Sequence, residues 1–204
     1  MRHHPISPIT ERMQYRAIGI ARGRYILTEN EELTNGFIYT RDGAKIPSVT
    51  LGKLLTLIRN HIQLKKLYLW IIYPRCRELS QLHLQMVGVW EPKTSKNLKL
   101  LEETNIDASM LPEKENYFSV RGELIYTELN KNVLVIQIRQ IPRGSKPFLL
   151  PFRLQVQGKV PTILLNHFLA LDLQRQNQNL ILERYVVIGP LAKACLQDVH
   201  FNIE

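Results

Sequence analysis

The feature that most constrains the fold is a strand order that occurs twice along the chain. In residues 116–190, apolar and polar residues alternate with a period of two, for example from Phe118 to Tyr126, and this is the pattern of half-buried β-strands. Residues 14–93 give the same order of three strands, a connection and two strands. The chain is therefore predicted to be mainly β and to form two consecutive five-stranded modules.

The first module differs by an amphipathic helix between its third and fourth strands. Between residues 50 and 62, leucine and isoleucine recur at helical spacing, and Ser48 or Thr50 is the expected N-cap. Before this helix, Asp42-Gly43 predicts a tight hairpin turn between strands two and three. In the second module, a shorter connection after Pro161 takes the place of the helix.

Charge divides the chain in the same way. The 204 residues carry a formal net charge of +9. The predicted modules 14–93 and 116–193 carry +6 each, the linker 94–115 and the C-terminal tail 194–204 carry −2 each, and the N-terminal arm 1–13 carries +1. Such a distribution is expected of folded surfaces that attract a polyanion, although a basic, solvated surface gives the same count.

The strand order resembles that of the OB-fold, a five-stranded Greek-key barrel with a helix or loop between strands three and four. The segment Val120-Arg-Gly-Glu-Leu124 resembles the first strand of many OB modules. Leu69-Trp-Ile-Ile-Tyr-Pro-Arg75 and Val87-Gly-Val-Trp-Glu-Pro92 are similar to segments of a family of cyanobacterial proteins, a resemblance that implies no activity. The resemblance to the OB-fold implies two OB-like barrels, while SH3-like barrels and split β-sandwiches fit the strand count nearly as well.

The sequence contains no motif for catalysis or for a cofactor. Phosphate-binding loops, dinucleotide fingerprints, HExxH and GxSxG are absent, and the two cysteines and six histidines lack metal-ligand spacing. Apolar runs are too short for a membrane span, and the N-terminus is not typical of a secretory signal. We therefore expect a cytoplasmic protein that is not an enzyme and has no cofactor, metal or membrane partner.

Arginines and tyrosines favour a binding role, because single-stranded nucleic acid needs cations near phosphates and flat side chains on which bases stack. The candidates in module one are Arg22, Arg24, Tyr25, Tyr39, Arg41, Tyr73, Arg75 and Arg77. Those in module two are Arg121, Arg139, Arg143, Lys146, Arg153 and Arg175. Arg75 and Arg77 are expected in the loop between strands four and five, and Arg121, Arg139 and Arg153 on one sheet face. Core burial is the alternative for the tyrosines, and edge protection for the module-two cations.

Two functions follow from these residues. The first is non-catalytic binding of single-stranded DNA or RNA by basic, partly aromatic barrel surfaces. The alternative is an interaction or assembly subunit that docks an acidic protein partner. The sequence does not separate DNA from RNA.

Overall fold

The structure is a computed structural model that describes residues 5–28, 32–64, 66–77, 81–90, 115–140 and 150–191. Its first half, here called barrel 1, comprises β1 (Arg16–Leu27), β2 (Asn35–Thr40), β3 (Lys45–Thr50), α1 (Lys53–His61), β4 (Tyr68–Arg77) and β5 (Gln81–Trp90). Its second half, barrel 2, comprises β6 (Tyr117–Glu128), β7 (Val133–Ile138), β8 (Phe152–Gln157), a 3₁₀ helix (Thr162–Leu164), β9 (His167–Gln176) and β10 (Asn179–Pro190).

Both halves close into barrels through the same strand pairings. In barrel 1, β1 pairs with β2 and β4, and the circle is completed by β2–β3, the parallel pair β3–β5, and β4–β5. In barrel 2, β6, β7, β8, β10 and β9 pair in the corresponding order, with the parallel contact at Ile181 and Gln157. The prediction of two five-stranded OB-like barrels is confirmed.

The core of barrel 1 consists of the inward side chains of the alternating strands. Tyr25, Ile38 and Ile46 occupy adjacent inward positions on β1, β2 and β3, and all are fully buried. Trp70 is also buried, and its indole N–H donates to the Gly23 carbonyl at 2.9 Å. This hydrogen bond removes the cost of burying the polar end of the ring.

The two barrels share one continuous sheet. The start of β1 pairs antiparallel with the start of β6, from Arg16 opposite Arg121 to Gly19 opposite Phe118. A methyl group at Gly19 would lie 2.3 Å from the Phe118 ring, so the absence of a side chain there lets the ring pack into the junction. This contact between β1 and β6, here called the seam, fixes the barrels against each other.

Some local predictions were wrong. The helix begins at Lys53, its N-cap is Gly52 with no side-chain capping bond, and Thr50 belongs to β3 instead. The left-handed backbone of Gly52, with φ of 55°, makes the turn from β3 into α1, so geometry rather than a hydroxyl begins this helix. Among the described residues, no helix combines the length and apolarity needed to cross a bilayer.

Candidate nucleic-acid interface

One outward face of barrel 1 combines aromatic and cationic side chains. Strand register places Arg24 opposite Tyr39 and Tyr39 opposite Lys45, and it places Ile26 opposite Phe37 in the next row. These five residues, here called the platform, lie on the opposite side of the sheet from the buried Tyr25, Ile38 and Ile46. Phe37 and Tyr39 are both half-buried and stand two positions apart on β2, so their Cα atoms lie about 7 Å apart, and each neighbouring strand carries a cation.

Lys45 covers the rings of the platform. Its ammonium nitrogen lies 4.1 Å from the centroid of Phe37 and 5.7 Å from that of Tyr39, which are cation–π distances. Ile26 beside them is 47% exposed, so an apolar side chain lies open to solvent next to the two rings. The face therefore offers exposed apolar area and positive charge together, a combination suited to stacked bases and their phosphates.

Three of the predicted residues meet at this face. Arg24 and Tyr39 are cross-strand neighbours on the platform, and Arg41 follows directly after β2 with an exposed side chain. Sequence reasoning missed Phe37, Lys45 and Ile26, which complete the platform. Their signal was available, because Phe37 and Tyr39 share a parity on one strand and Lys45 follows the predicted Asp42-Gly43 turn.

Four other candidates are buried, which corrects the expectation that they face a ligand: Tyr25, Arg22, Arg121 and Arg175. Tyr25 is 0% exposed, and its ring packs in the core with its hydroxyl donating to the Leu33 carbonyl at 3.2 Å. Arg22 pairs with Glu115 at 2.6 Å beside the seam. Arg121 donates to the backbone carbonyls of Gln14 and Arg12, and burial lowers the pKa of its guanidinium.

Arg75 and Arg77 lie within β4 rather than in a loop, because the strand continues through Pro74 to Arg77. The Arg75 guanidinium carbon lies 3.7 Å above the Phe152 ring of barrel 2, so this side chain joins the barrels. Tyr73 is half-buried on β4 opposite Gln85. Because β4 pairs with β1 from Ile72 opposite Gly19 to Tyr68 opposite Gly23, Tyr73 lies at the far end of that pairing from Arg24. The side chain of Arg77 lies outside the described residues.

The corresponding face of barrel 2 has different chemistry. Its register row is Glu123, Gln137 and Arg153, where barrel 1 has Arg24, Tyr39 and Lys45. Arg139 is bound to the Glu123 carboxylate, and Arg153 is exposed opposite Gln137. Arg121 is buried, so the expected patch of Arg121, Arg139 and Arg153 does not form on one open face. Arg143 and Lys146 lie outside the described residues.

Tyr15, which directly precedes β1, covers part of barrel 2. The Tyr15 hydroxyl donates to Glu123, and its ring packs edge-on against Phe168 with centroids 4.9 Å apart. Burial and the hydrogen bond to Glu123 raise the pKa of Tyr15 to about 12. The pKa of Glu123 is lowered, since hydrogen bonds from Arg139 and Tyr15 outweigh the opposing effect of burial. These groups are therefore engaged within the protein.

The described residues contain no cluster of three or more side chains suited to holding a metal ion. The platform of barrel 1 offers aromatic rings and cationic side chains for contact with a ligand.

Comparison with family models gave a match in each barrel. Residues 17–97 match the PatR RNA-binding protein, N-terminal OB-fold domain, and residues 120–189 match the cyanobacterial OB-fold-like RNA-binding domain, C-terminal. Each half of the chain thus matches one OB-fold domain, and both family models are described as RNA-binding. The two matches follow the boundaries of barrels 1 and 2, and the family descriptions support nucleic-acid binding as the general role. Comparisons with curated proteins and with solved structures gave no match.

Proposed function

We propose that this protein binds single-stranded RNA through the platform of barrel 1. The observation that carries the proposal is the cross-strand arrangement of Phe37, Tyr39 and Lys45 on an outward sheet face. Bases of a single strand stack on exposed rings, while neighbouring cations neutralise the phosphates. The family descriptions of both barrels as RNA-binding favour RNA over DNA.

Barrel 1 is the better candidate of the two barrels for physical reasons. At the position of Arg24, barrel 2 carries Glu123, a buried carboxylate that Arg139 and Tyr15 already bind, so this position supplies no cation for a phosphate. At the positions of Phe37 and Tyr39, barrel 2 carries Val135 and Gln137, which offer no ring. On the same face of barrel 2, the exposed Tyr126 lies opposite Val135 and the exposed Arg153 opposite Gln137, so barrel 2 offers one ring and one cation beside a carboxylate where barrel 1 offers two rings between two cations.

Anisotropy titrations against single-stranded RNA, single-stranded DNA and duplex RNA, each at two salt concentrations, test the proposal. We expect the unmodified protein to prefer single-stranded RNA, with affinity that falls as salt rises. Phe37→Ala and Tyr39→Ala should each weaken binding by roughly 1–3 kcal/mol, the usual contribution of one stacked base, and should leave the salt slope unchanged.

Tyr126→Ala is the matched control, because Tyr126 is a 46% exposed tyrosine on β6 of barrel 2. It should bind RNA like the unmodified protein. If Tyr126→Ala weakened binding and both platform variants did not, the interface would belong to barrel 2. If the protein bound none of the three nucleic acids at low salt, docking of an acidic protein partner would be the better hypothesis.

A further inference from the structure

Arg175 of barrel 2 reaches a turn of barrel 1 that lies at the end of the platform. Its side chain is completely buried, and one guanidinium nitrogen lies 3.1 and 3.2 Å from the two carboxylate oxygens of Asp42. The same group donates to the Asn116 side chain at 2.7 Å and to the Asn177 carbonyl at 2.8 Å. A buried cation requires such partners, so these bonds fix its place tightly.

Asp42 lies at the centre of the β2–β3 turn, next to the platform. Tyr39 and Lys45 are the last cross-strand pair before this turn. Within it, the Thr40 hydroxyl donates to Asp42 and the Gly43 N–H donates to the Thr40 carbonyl at 3.0 Å. Burial acts to raise the pKa of Asp42, but hydrogen bonds from Thr40 and Arg175 outweigh it and lower that pKa, so the carboxylate stays ionised.

A second contact from barrel 2 reaches the other strand of the hairpin. The Gln178 side-chain amide donates to the backbone carbonyl of Lys45 at 2.8 Å. Arg175 lies near the end of β9 and Gln178 within the turn that follows, so this end of barrel 2 contacts both the tip and the β3 side of the hairpin.

We propose that Arg175 is a positioning residue for RNA binding, which acts through Asp42 to fix the hairpin that carries Tyr39 and Lys45. This inference rests on the proposed function of the platform. Arg175 itself has no exposed surface with which to contact a phosphate. It keeps the Tyr39 ring and the Lys45 ammonium in the relative position that stacking and charge neutralisation need. If the end of the hairpin were free to move, RNA binding would have to order it, and the entropy lost would lower the affinity.

The test uses Arg175→Gln in the full-length protein, with Arg121→Gln as the matched control. Arg121 is also a buried arginine between the barrels, but it binds backbone carbonyls of the N-terminal arm instead of the hairpin. Affinity for a short single-stranded RNA is measured at a temperature at which circular dichroism shows both variants to be folded. We expect Arg175→Gln to weaken binding by about tenfold and Arg121→Gln by less than about twofold.

A double-mutant cycle with Tyr39→Ala separates positioning from general destabilisation. If Arg175 acts through the platform, its substitution should cost much less once the Tyr39 ring is gone, and the salt slope should not change. Asp42→Asn, which removes the carboxylate from the turn, should show the same dependence on Tyr39 and replaces Arg175→Gln if that variant does not fold.

The outcomes distinguish this inference from the proposed function. If Tyr39→Ala alone leaves RNA affinity unchanged, the platform is not the interface and both proposals fail. If Tyr39→Ala weakens binding, unchanged affinity in Arg175→Gln or Asp42→Asn overturns only the positioning role. Equal losses with and without the Tyr39 ring, or a shallower salt slope, overturn it also, because they indicate a global effect or a direct phosphate contact.

Discussion

At the scale of single residues, Lys45 is the side chain whose position has the clearest consequence for binding. In the free protein its ammonium lies over the Phe37 ring, on the surface where a base would stack. A cation–π contact at an exposed site contributes only about 0.5–1 kcal/mol, less than a stacked base. We therefore expect an incoming base to displace the ammonium, which then remains close to the phosphates of the same strand.

Lys45→Ala should thus weaken the electrostatic part of binding, because a phosphate contact is lost, and favour stacking, because the Phe37 ring is no longer covered. Loss of one phosphate contact should reduce the slope of log affinity against log salt by about 0.7, so binding weakens at low salt. At high salt the loss of affinity should be small, because phosphate contacts contribute less there and because the variant has no ammonium for a base to displace from the Phe37 ring. Lys159→Ala, an exposed lysine in the loop after β8, is the control. A salt slope equal to that of the unmodified protein would contradict this role of Lys45.

At the scale of elements, the segment before β1 is part of the contact between the barrels. Arg121 binds its backbone carbonyls, Arg12 donates to the Ile188 carbonyl at 2.8 Å, and Ile6 is buried against Ile20 and Leu69. Tyr15 completes this contact by hydrogen bonding to Glu123 in its neutral, protonated form. The arm therefore connects barrel 1 to barrel 2 in addition to the seam.

The raised pKa of Tyr15 predicts a loss of stability at alkaline pH. The folded-state pKa is about 12 and the ordinary value is 10.0, so the stabilisation is fully present below pH 10 and is lost as pH rises through 12. Tyr15→Phe should lower the free energy of unfolding near neutral pH by about 1 kcal/mol, and its stability should decline less steeply between pH 10 and 12. Urea unfolding at a series of pH values measures this, and parallel pH curves for the two proteins would contradict it.

At the scale of the whole molecule, the two barrels are joined by contacts of several kinds. β1 pairs with β6 at the seam, Arg22 binds Glu115, Arg75 lies over Phe152, and Arg175 binds Asp42. Because these contacts bury charges that need their partners, separation of the barrels would leave those charges without compensation. We expect the barrels to unfold together.

Gly19→Ala tests this cooperativity at the seam. The added methyl would lie 2.3 Å from the Phe118 ring, which is fully buried. The protein can avoid this clash only by displacing the ring or the backbone, and this should lower the free energy of unfolding by about 1–3 kcal/mol. Gly88→Ala is the control, since its added carbon would meet Ile71 at an ordinary 3.6 Å. Calorimetry should show one transition that moves to lower temperature in Gly19→Ala only. Two separate transitions in the unmodified protein would contradict a single folding unit.

The alternation of apolar and polar residues was sufficient to predict the two barrels and their strand order. A side-chain period of two determines which residues face the core, and Asp42-Gly43 marks a turn by local chemistry alone. The same alternation places Arg24 and Tyr39 on the outside. Local patterns thus determine the elements and their faces, because every interaction involved lies within a few residues.

Only the tertiary structure decided which of the outward cations remain open to a ligand. Arg22 and Arg121 have the same alternation as the exposed Arg24, yet both are buried where the barrels meet. Arg175 instead has the alternation of the buried Leu171 and Leu173, and its carboxylate partner comes from the other barrel. Arg175 and Asp42, for example, lie 133 positions apart in the sequence. Nothing local distinguishes Arg22 and Arg121 from Arg24, and nothing local identifies the partner of Arg175, since these contacts depend on how β1 pairs with β6 and on which turn of one barrel meets the other.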